Sequence, residues 1–264
     1  MNFMIFLGTG GGGKVVFSQA RASGGLYFNM DSVKFLIDPG PGSLVNMRSL
    51  KLKDPDGILL SHLHPDHSTD ANMILDGLKN SFLIAEEHCL KISKRYYPCI
   101  SKYQQSLVKF LKPVKAGDVV KIPESEIRIE VTKADHYVPT VGFKIIGSKT
   151  IGYPCDGSYF SGQERQFEKC DAIIFNVLVP HGNVPMEHKH MSVDNVITFL
   201  KKLEHKPELV IIQHFSFWML KSNVYEQAKI IEKNAGIKTI AAKDFMKINL
   251  DLLKEEKRGL GKFV

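Results

Sequence analysis

Short apolar runs bounded by glycine, proline and aspartate mark the first third of the chain, and this pattern predicts β-strands. The predicted strands are Asn2–Leu7, Leu26–Asn29, Lys34–Ile37, Gly57–Leu60 and Ser81–Ala85. Between the last two, apolar residues at helical spacing predict a helix over Asp70–Leu78. The segment 86–112 predicts two short helices that are interrupted at Pro98.

Apolar runs continue through the second half of the chain. The predicted strands there are Val119–Ile122, Ile127–Thr132, Val141–Ile146, Thr150–Tyr153, Ala172–Leu178 and Leu209–Ile212. The last two are almost continuously apolar, which is typical of strands covered on both faces. Helical spacing predicts helices over Ser192–Leu203, with Ser192 as the N-cap, and over Asn223–Asn234. Strands in both halves with helices between them predict an α/β fold with two sheets and helices outside them.

The composition is that of a globular protein and excludes a fibrous or disordered chain. The 264 residues are 44% hydrophobic and 24% charged, close to the averages for soluble proteins. Because the sequence has no internal repeat and no linker rich in proline or serine, we expect one domain over residues 1–264. The last stretch, Lys254–Val264, is charged and contains glycine, and we expect it to fray.

The net charge of +7 favours anionic partners such as phosphate esters or nucleic acid, although a solvated basic surface explains it equally well. The apolar N-terminus, Met1–Leu7, has no basic segment before it and predicts a first strand instead of a signal peptide. No apolar run approaches the ~18 residues of a membrane span. The four cysteines include no CxxC pair and do not resemble a secreted disulfide framework. We therefore expect a cytoplasmic protein without a membrane partner.

The glycine-rich segment Gly8–Lys14 fits the GxxxxGK start of a phosphate-binding loop. The next residue is Val15, where such a loop needs a serine or threonine hydroxyl for magnesium. Val16 and Phe17 favour extended chain over the start of a helix, so the phosphate cradle is incomplete. Two interpretations remain, a flexible turn after the first strand or a loop that lies close to a ligand without side chains in the way.

The chemistry of this chain is concentrated in the sequence SHLHPDH, residues 61–67. His62 and His64 lie two residues apart, so in an extended segment both imidazoles face the same side and can bind one metal. Pro65 interrupts the extended run, and Asp66 and His67 can then turn towards a second position. Imidazole and carboxylate ligands suit Zn²⁺, with Mn²⁺ or Fe²⁺ as alternatives. A solvated histidine-rich loop is the simpler interpretation, but the motif follows a buried strand, where scaffolds present functional loops.

This motif, one earlier segment and three later positions resemble the metallo-β-lactamase superfamily. The segment Leu36–Gly40 is similar to the early strand and turn that place an aspartate, here Asp38, near the metal site. Three further residues match later ligands of the family in the same order: His136, Asp156 and His214. The resemblance covers residues 1 to about 215 and implies a four-layer αββα sandwich with two mixed sheets.

The resemblance also implies a binuclear metal-dependent hydrolase, in which a hydroxide held between two divalent metals attacks a phosphorus or carbonyl centre. The implied ligands are His62, His64 and His136 for one metal, Asp66, His67 and His214 for the other, and Asp156 as the bridge. Asp66 would also orient the hydroxide. Cys155, beside the bridging residue, is expected to pack or to support a ligand, because the metals already supply the nucleophile.

The opening Phe6–Gly11, with its LGTG sequence, resembles two branches of the superfamily, the transfer-RNA 3′-processing endonucleases and the cyclic phosphodiesterases of phosphonate breakdown. His190, in the sequence HMS, resembles a histidine of those phosphodiesterases that assists proton transfer. His181 and His188 lie nearby and either of them could take this role instead.

Two departures weaken the endonuclease alternative. Asn176 stands where those enzymes carry a glutamate, and the interval 86–118 is too short and too poor in glycine for their transfer-RNA-gripping arm. Arg21 and Gln19 could reach an anionic substrate or belong to an ordinary polar loop.

A phosphodiesterase is therefore the leading hypothesis, with an anionic small-molecule or nucleic-acid phosphodiester as substrate. A thioester or lactone hydrolase on the same scaffold is second, and a non-catalytic metal-stabilised module is third. The sequence leaves the oligomeric state open, a homodimer included.

Overall fold

The apolar runs form the strands of two sheets. The computed structural model describes residues 1–182 and 189–253. In chain order the first six strands belong to one sheet: β1 (Phe3–Phe6), β2 (Leu26–Met30), β3 (Val33–Ile37), β4 (Gly57–Leu60), β5 (Phe82–Glu86) and β6 (Phe110–Val114). The final strand, β15 (Lys247–Asn249), returns to this sheet and pairs with β1. The sheet is mixed, because β3 to β6 run parallel whereas β15, β1, β2 and β3 pair antiparallel.

The second sheet is also mixed. Its strands are β7 (Val119–Lys121), β8 (Arg128–Lys133), β9 (Val141–Ile146), β10 (Thr150–Cys155), β11 (Ala172–Val179), β12 (Met191–Ser192), β13 (Leu209–Gln213) and β14 (Thr239–Ala241). Strands β7 to β10 pair antiparallel, and β10, β11, β13 and β14 run parallel. The short β12 pairs with β11 outside the main strand order.

Helices connect the strands, and the described residues contain eight α-helices. They are α1 (Gly13–Ser18), α2 (Ser43–Ser49), α3 (Pro65–Ser68), α4 (Ala71–Gly77), α5 (Lys102–Leu107), α6 (Val193–Lys202), α7 (Phe217–Lys221) and α8 (Val224–Ala235). Ser192 caps α6 as predicted, since its hydroxyl accepts a hydrogen bond from the Asn195 backbone N–H. Across residues 1–182 and 189–253, every helix is too short or too polar to cross a lipid bilayer.

Alternating side chains place the sheets between two helical layers. Leu59 on β4 and Ile211 on β13 point into the core shared by the two sheets. Their neighbour Ile58 packs under α2 and α4, and Val210 packs under α6 and α8. Because both faces of each central strand are covered, these strands are apolar at nearly every position. The arrangement is a four-layer αββα sandwich, which confirms the predicted fold class.

One local prediction is wrong, and another is right only in part. Residues 13–18 form the helix α1, where Val16 and Phe17 were expected to be extended. The segment 86–112 contains two short helical elements on either side of Pro98, as predicted, the 3₁₀ helix Glu87–Cys89 and the helix α5, but its last residues begin strand β6. Parallel pairing with β5 accounts for β6, since it lets Phe110 pack against the core between the sheets. The single domain over residues 1–264 stays a prediction. The frayed end also stays a prediction, because residues 254–264 lie outside the described part of the chain.

Candidate metal centre

The predicted ligands lie at one edge of the molecule, where strands of both sheets end. His62 and His64 follow β4, His136 follows β8, and Asp156 and His214 directly follow β10 and β13. The carboxyl ends of parallel strands meet at the same edge of a sheet, and this edge is the usual ligand site in α/β folds. Side chains up to 148 positions apart in sequence, such as Asp66 and His214, thereby bring their candidate ligand atoms within 4.8 Å of one another.

The backbone changes direction within the SHLHPDH motif, where an extended segment after β4 meets the start of α3. His64 has extended backbone angles, φ −60° and ψ 140°, and Pro65 begins α3. Proline suits the first helical position because its fixed φ is already helical. It lacks a backbone N–H, but an N–H at this position would have no partner within the helix. The extended part carries His62 and His64, and the helical part carries Asp66 and His67.

Three imidazoles form the first cluster, which consists of His62, His64 and His136. The Nδ1 atom of His64 lies 3.1 Å from His62 Nε2 and 3.2 Å from His136 Nε2. Two nitrogens bound to one tetrahedral Zn²⁺ at 2.0–2.1 Å are about 3.3 Å apart. The spacing of the first cluster therefore fits a single ion.

A carboxylate and two imidazoles form the second cluster, which consists of Asp66, His67 and His214. The Asp66 Oδ2 atom lies 3.9 Å from His67 Nε2 and 3.8 Å from His214 Nε2. Both Nε2 atoms are buried and have no hydrogen-bond partner among the described residues. Buried ring nitrogens are almost always paired in native proteins, so two orphans side by side indicate a missing ligand such as a cation.

Asp156 lies between the two clusters. Its Oδ2 atom is 3.4 Å from His67 Nε2, 3.4 Å from His214 Nε2 and 3.9 Å from His136 Nε2. It is also 3.6 Å from Nδ1 of His190, a third buried nitrogen without a hydrogen-bond partner. One carboxylate oxygen thus faces imidazoles from both clusters, which is the position that a bridging ligand needs.

Buried hydrogen bonds fix the orientation of the ligand rings. Nδ1 of His62 lies 2.9 Å from the Ser61 hydroxyl, and Nδ1 of His136 lies 2.8 Å from the Lys189 carbonyl oxygen. Nδ1 of His67 lies 3.1 Å from Oδ2 of Asp38. In each ring this leaves Nε2 for the cluster, as in metal sites whose outer partners select the tautomer.

Asp38 accepts several hydrogen bonds at once. It accepts from the Ser61 backbone N–H at 2.7 Å, the Ser61 hydroxyl at 2.6 Å and the Tyr153 hydroxyl at 2.9 Å, in addition to His67. The thiol of Cys155 donates to the Ser61 hydroxyl at 2.9 Å, and burial raises the pKa of that thiol. Cys155 therefore lies in the supporting layer behind the ligands.

A second buried chain of hydrogen bonds supports Asp156. The Asn176 amide donates to Asp156 Oδ1 at 2.7 Å and lies 3.2 Å from the Tyr153 hydroxyl oxygen. The Gln213 amide donates to the Asn176 carbonyl oxygen at 2.9 Å. The sequence singled out Asn176 only as a departure from the endonucleases, whereas the fold makes it the residue that holds the Asp156 carboxylate. Nothing in the local sequence pattern identified Tyr153 or Gln213.

The ionisation of the clusters suits metal binding. Burial lowers the pKa of His62, His64 and His136, so these rings are neutral, which is the ligating form. Burial opposes the charged form of Asp156, but the surrounding imidazoles, His214 and His67 first, outweigh it and lower the pKa of that carboxyl well below its usual range. The neutral imidazoles of the first cluster and the anionic carboxylate of Asp156 are borderline and hard donors, which fit a divalent cation such as Zn²⁺.

Two glycines allow the backbone to approach the ligands closely. A Cβ atom on Gly11 would lie 2.4 Å from the His214 ring, and one on Gly40 would overlap the Asp66 carbonyl oxygen. The Gly11 backbone N–H also donates to the Phe215 carbonyl oxygen at 3.1 Å. The glycine-rich segment thus packs against His214, a candidate metal-binding residue.

The candidates for proton transfer and for substrate contact differ in where they lie relative to the two clusters. His181 lies outside both clusters, with Nδ1 2.7 Å from an Asp194 carboxylate oxygen, and His188 lies outside the described residues. His190 lies at the clusters, and burial lowers its pKa to about 4. Gln19 ends α1, and Arg21 donates to the Thr9 hydroxyl at 3.1 Å, so both belong to the structure of the glycine-rich segment.

The fold and these clusters define a metal-dependent hydrolase. The sequence profile of the β-lactamase superfamily domain matches residues 34–215, which is more than half of the chain, and the chain therefore belongs to this superfamily. It is 28% identical over 259 residues to an uncharacterized protein of Methanocaldococcus jannaschii, with 94% of each chain covered. It is also 36% identical over 179 residues to ribonuclease Z of Clostridium novyi, which covers 66% of this chain and 55% of that protein.

Solved structures share the fold. The metallo-β-lactamase fold protein YhfI of Bacillus subtilis has a TM-score of 0.75 at 16% identity, with 94% of this chain and 100% of that chain covered. A diphosphatase from the PhnP family has a TM-score of 0.68 at 19% identity, with 97% and 100% covered. At these identities the likeness establishes the architecture alone.

Proposed function

We propose that the protein is a binuclear metal-dependent hydrolase that cleaves phosphodiesters. The observation that carries this proposal is the position of Asp156 Oδ2, 3.4–3.9 Å from imidazole nitrogens of both clusters and of His190. A carboxylate shared by two clusters suits two neighbouring ions, which in binuclear hydrolases lie about 3.5–4 Å apart.

Six side chains would hold the ions and a seventh would join them. These are His62, His64 and His136 for one ion, Asp66, His67 and His214 for the other, and Asp156 between them. Zn²⁺ suits this donor set, with Mn²⁺ or Fe²⁺ as alternatives. When bound, such ions would acidify a water molecule and offset negative charge on the substrate oxygens.

Asp66 is assigned a second role, the orientation of the attacking water. Its side chain is 20% exposed, compared with 3% for His67 and 2% for Asp156, so it is the carboxylate of the centre that water reaches most easily. A carboxylate oxygen there can accept a hydrogen bond from the water and direct the water's lone pair towards the substrate.

His190 is assigned the transfer of a proton to the leaving group. Its ring lies 4.8 Å from the ring of His136, centroid to centroid, and its side chain is 14% exposed, so it stands at the rim of the centre. Because burial lowers its pKa to about 4, the resting imidazole is neutral. To act as the acid, the ring would first take up a proton, then give it to the leaving oxygen and return to the neutral form; the Asp156 carboxylate 3.6 Å from Nδ1 favours the protonated form.

The excess of positive charge, +7, supports an anionic substrate over a neutral thioester or lactone. Nucleic-acid processing is the second candidate, and the observation that favours it is the 36% identity to a ribonuclease Z over 179 residues. Against it, the interval 86–118 is occupied by α5, β6 and short connections and contains no extended arm. A small phosphodiester is therefore preferred.

Metal content and turnover together test the proposal. Wild-type protein purified without added metal should carry about two metal ions per chain by mass spectrometry and hydrolyse bis-p-nitrophenyl phosphate until a chelator is added. His62→Ala should lose metal. His190→Ala should keep its metal while kcat on a phosphodiester with a poor alkoxide leaving group falls by about 100-fold or more, because general acid catalysis contributes 10²–10⁴-fold. Turnover of bis-p-nitrophenyl phosphate should fall less, because nitrophenolate leaves without a proton.

Two histidines serve as matched controls. His181→Ala tests the alternative proton donor, and His205→Ala removes a partly exposed histidine that pairs with Glu168 away from both clusters. Both should behave as wild type. A protein that takes up no metal even after reconstitution, or one that turns over a thioester but no phosphodiester, would contradict the proposal.

A further inference from the structure

A cavity of about 320 Å³ opens beside the metal centre and has no role in the proposal so far. His136 lines it, so an occupant would lie next to the first cluster. The rest of the lining comes from the loops after β5, β6 and β8, which contribute Tyr96, Lys115 and Tyr137. The volume lies at the lower end of the range of about 300–1,000 Å³ that is typical of ligand pockets.

Tyr137 connects this cavity to the reacting groups. Its side chain is 50% exposed, although its ring lies 5.4 Å from the ring of His136 and 6.3 Å from that of His190. The Lys189 backbone N–H donates to its hydroxyl oxygen at 3.2 Å, which anchors the far end of the side chain. An anchored but accessible aromatic ring beside a candidate proton donor is placed to contact a leaving group.

Tyr96 contributes a second aromatic ring to the same cavity, and a partly exposed histidine holds it. The ring of His88 meets it edge to face at 5.9 Å and 84°. His88 in turn donates to both carboxylate oxygens of Glu86, through its backbone N–H and through Nδ1, each at 2.8 Å. Glu86 is 4% exposed, so a buried carboxylate fixes the ring that fixes Tyr96.

The charges of the cavity leave one cation available. Glu86 pairs with His88, and Asp135 pairs with the Lys189 ammonium at 2.8 Å. Within residues 1–182 and 189–253, the ammonium of Lys115 takes part in no ion pair. Val138 and Pro139 add apolar lining. The cavity thus combines aromatic and apolar surface with one unpaired positive charge.

We propose that this cavity binds a planar aromatic group that is joined to the scissile phosphate, with Tyr137 and Tyr96 as the residues that recognise the ring. Aromatic side chains stack on planar rings with little dependence on ring identity, so nucleosides and simple aryl groups share the required chemistry. The link to the scissile phosphate rests on the proposed phosphodiesterase function, whereas the preference of the cavity for a ring does not.

Matched pairs of phosphate monoesters test the cavity by binding, measured by isothermal titration on the purified protein. Adenosine 5′-monophosphate and ribose 5-phosphate differ only in the base, and phenyl phosphate is compared with methyl phosphate. Any contribution of the phosphate to binding cancels within each pair. The aromatic member should bind at least about 5-fold more tightly, since stacking contributes 1–3 kcal/mol per ring. A preference in the first pair only identifies a nucleoside, and a preference in both identifies any aryl group.

Variants separate the ring from the hydroxyl. Tyr137→Leu and Tyr96→Leu should each reduce the preference by about 5-fold or more, and Tyr137→Phe should keep it, because stacking needs the ring alone. Tyr97→Leu is the matched control, since Tyr97 is 82% exposed and does not line the cavity. Circular dichroism checks that each variant is folded, and the Tyr96 variant carries the test if Tyr137→Leu does not fold.

Equal binding within both pairs, or a preference that survives both leucine variants, would overturn this inference. Turnover of bis-p-nitrophenyl phosphate distinguishes such a failure from a failure of the proposed function. An active enzyme without a ring preference overturns the aromatic cavity alone. A ring preference in a protein without phosphodiesterase activity retains the cavity and overturns the proposed reaction.

Discussion

The two clusters of candidate ligands share one edge of the fold but differ in charge. The first cluster contains three neutral imidazoles whose pKa values burial lowers. In the second, burial also disfavours a charged His67, but the carboxylates of Asp156 and Asp66 outweigh it and raise the pKa of His67 well above its usual value. The first cluster is therefore electrically neutral, whereas the carboxylates of the second cluster stabilise positive charge.

The hydrogen-bond partners of the imidazole rings also differ in charge between the two clusters. Neutral oxygens hold the first cluster, namely the Ser61 hydroxyl and the Lys189 carbonyl. A carboxylate, Asp38, holds His67 of the second cluster. Hydrogen bonds to charged groups contribute about 1.5–3 kcal/mol, compared with about 0.5–1.5 kcal/mol for neutral ones. We therefore expect the second cluster to depend more strongly on its outer partners than the first.

The largest effect is expected where the clusters meet. Asp156→Ala removes the oxygen that faces imidazoles of both clusters, so both should lose metal together. Turnover should fall by more than the factor of about 100 that bounds most outer-partner substitutions. Metal content by mass spectrometry and kcat on bis-p-nitrophenyl phosphate provide the measurement. If Asp156→Ala kept two ions, the clusters would be independent and the proposed bridge would be wrong.

The sequence predicted the main elements because they depend on local pattern. The continuous apolar run of β11 and the spacing and cap of α6 are properties of short segments. Helix α1 is different, since its glycine-rich start gives no helical signal and its only buried residue is Val15. Strand β6 likewise forms because it pairs with β5, and the sequence of residues 86–112 alone gives no sign of that pairing.

The candidate ligand motif was visible in the sequence for the same reason, since His62, His64, Asp66 and His67 are neighbours in sequence. The supporting layer was not visible. The Tyr153 hydroxyl reaches Asp38 across 115 positions, and Gln213 reaches Asn176 across 37. Tyrosine and glutamine at the ends of apolar strands carry no distinguishing local signal, so only the assembled fold identifies these contacts.

The next largest effect concerns the support of the second cluster. Asp38→Asn keeps the shape of the side chain, but the amide nitrogen cannot accept the hydrogen bonds that Ser61, Tyr153 and His67 now donate to the carboxylate. Metal affinity of the second cluster should fall by about 10–100-fold while the first cluster keeps its ion. Metal content should therefore approach one ion per chain at limiting metal.

Asp76→Asn is the control for this substitution, because Asp76 is an exposed carboxylate on α4 that contacts no ligand. Its metal content should equal that of wild type. A similar loss of both ions in Asp38→Asn would remove the distinction between the clusters, and it would assign Asp38 to the stability of the whole centre.

The smallest effect is expected in the support of the first cluster. Ser61→Ala removes the neutral hydroxyl 2.9 Å from His62 Nδ1, and Asp38 keeps the Ser61 backbone N–H at 2.7 Å. Loss of one neutral hydrogen bond should weaken metal binding at the first cluster by about 2- to 10-fold. Competition with a chromophoric chelator measures the change.

Ser68→Ala is the matched control, since that buried hydroxyl donates to the His64 carbonyl oxygen at 3.0 Å and contacts no ligand nitrogen. A loss in Ser61→Ala as large as that in Asp38→Asn would mean that neutral and charged supports contribute equally, and charge would then not explain the difference between the two clusters.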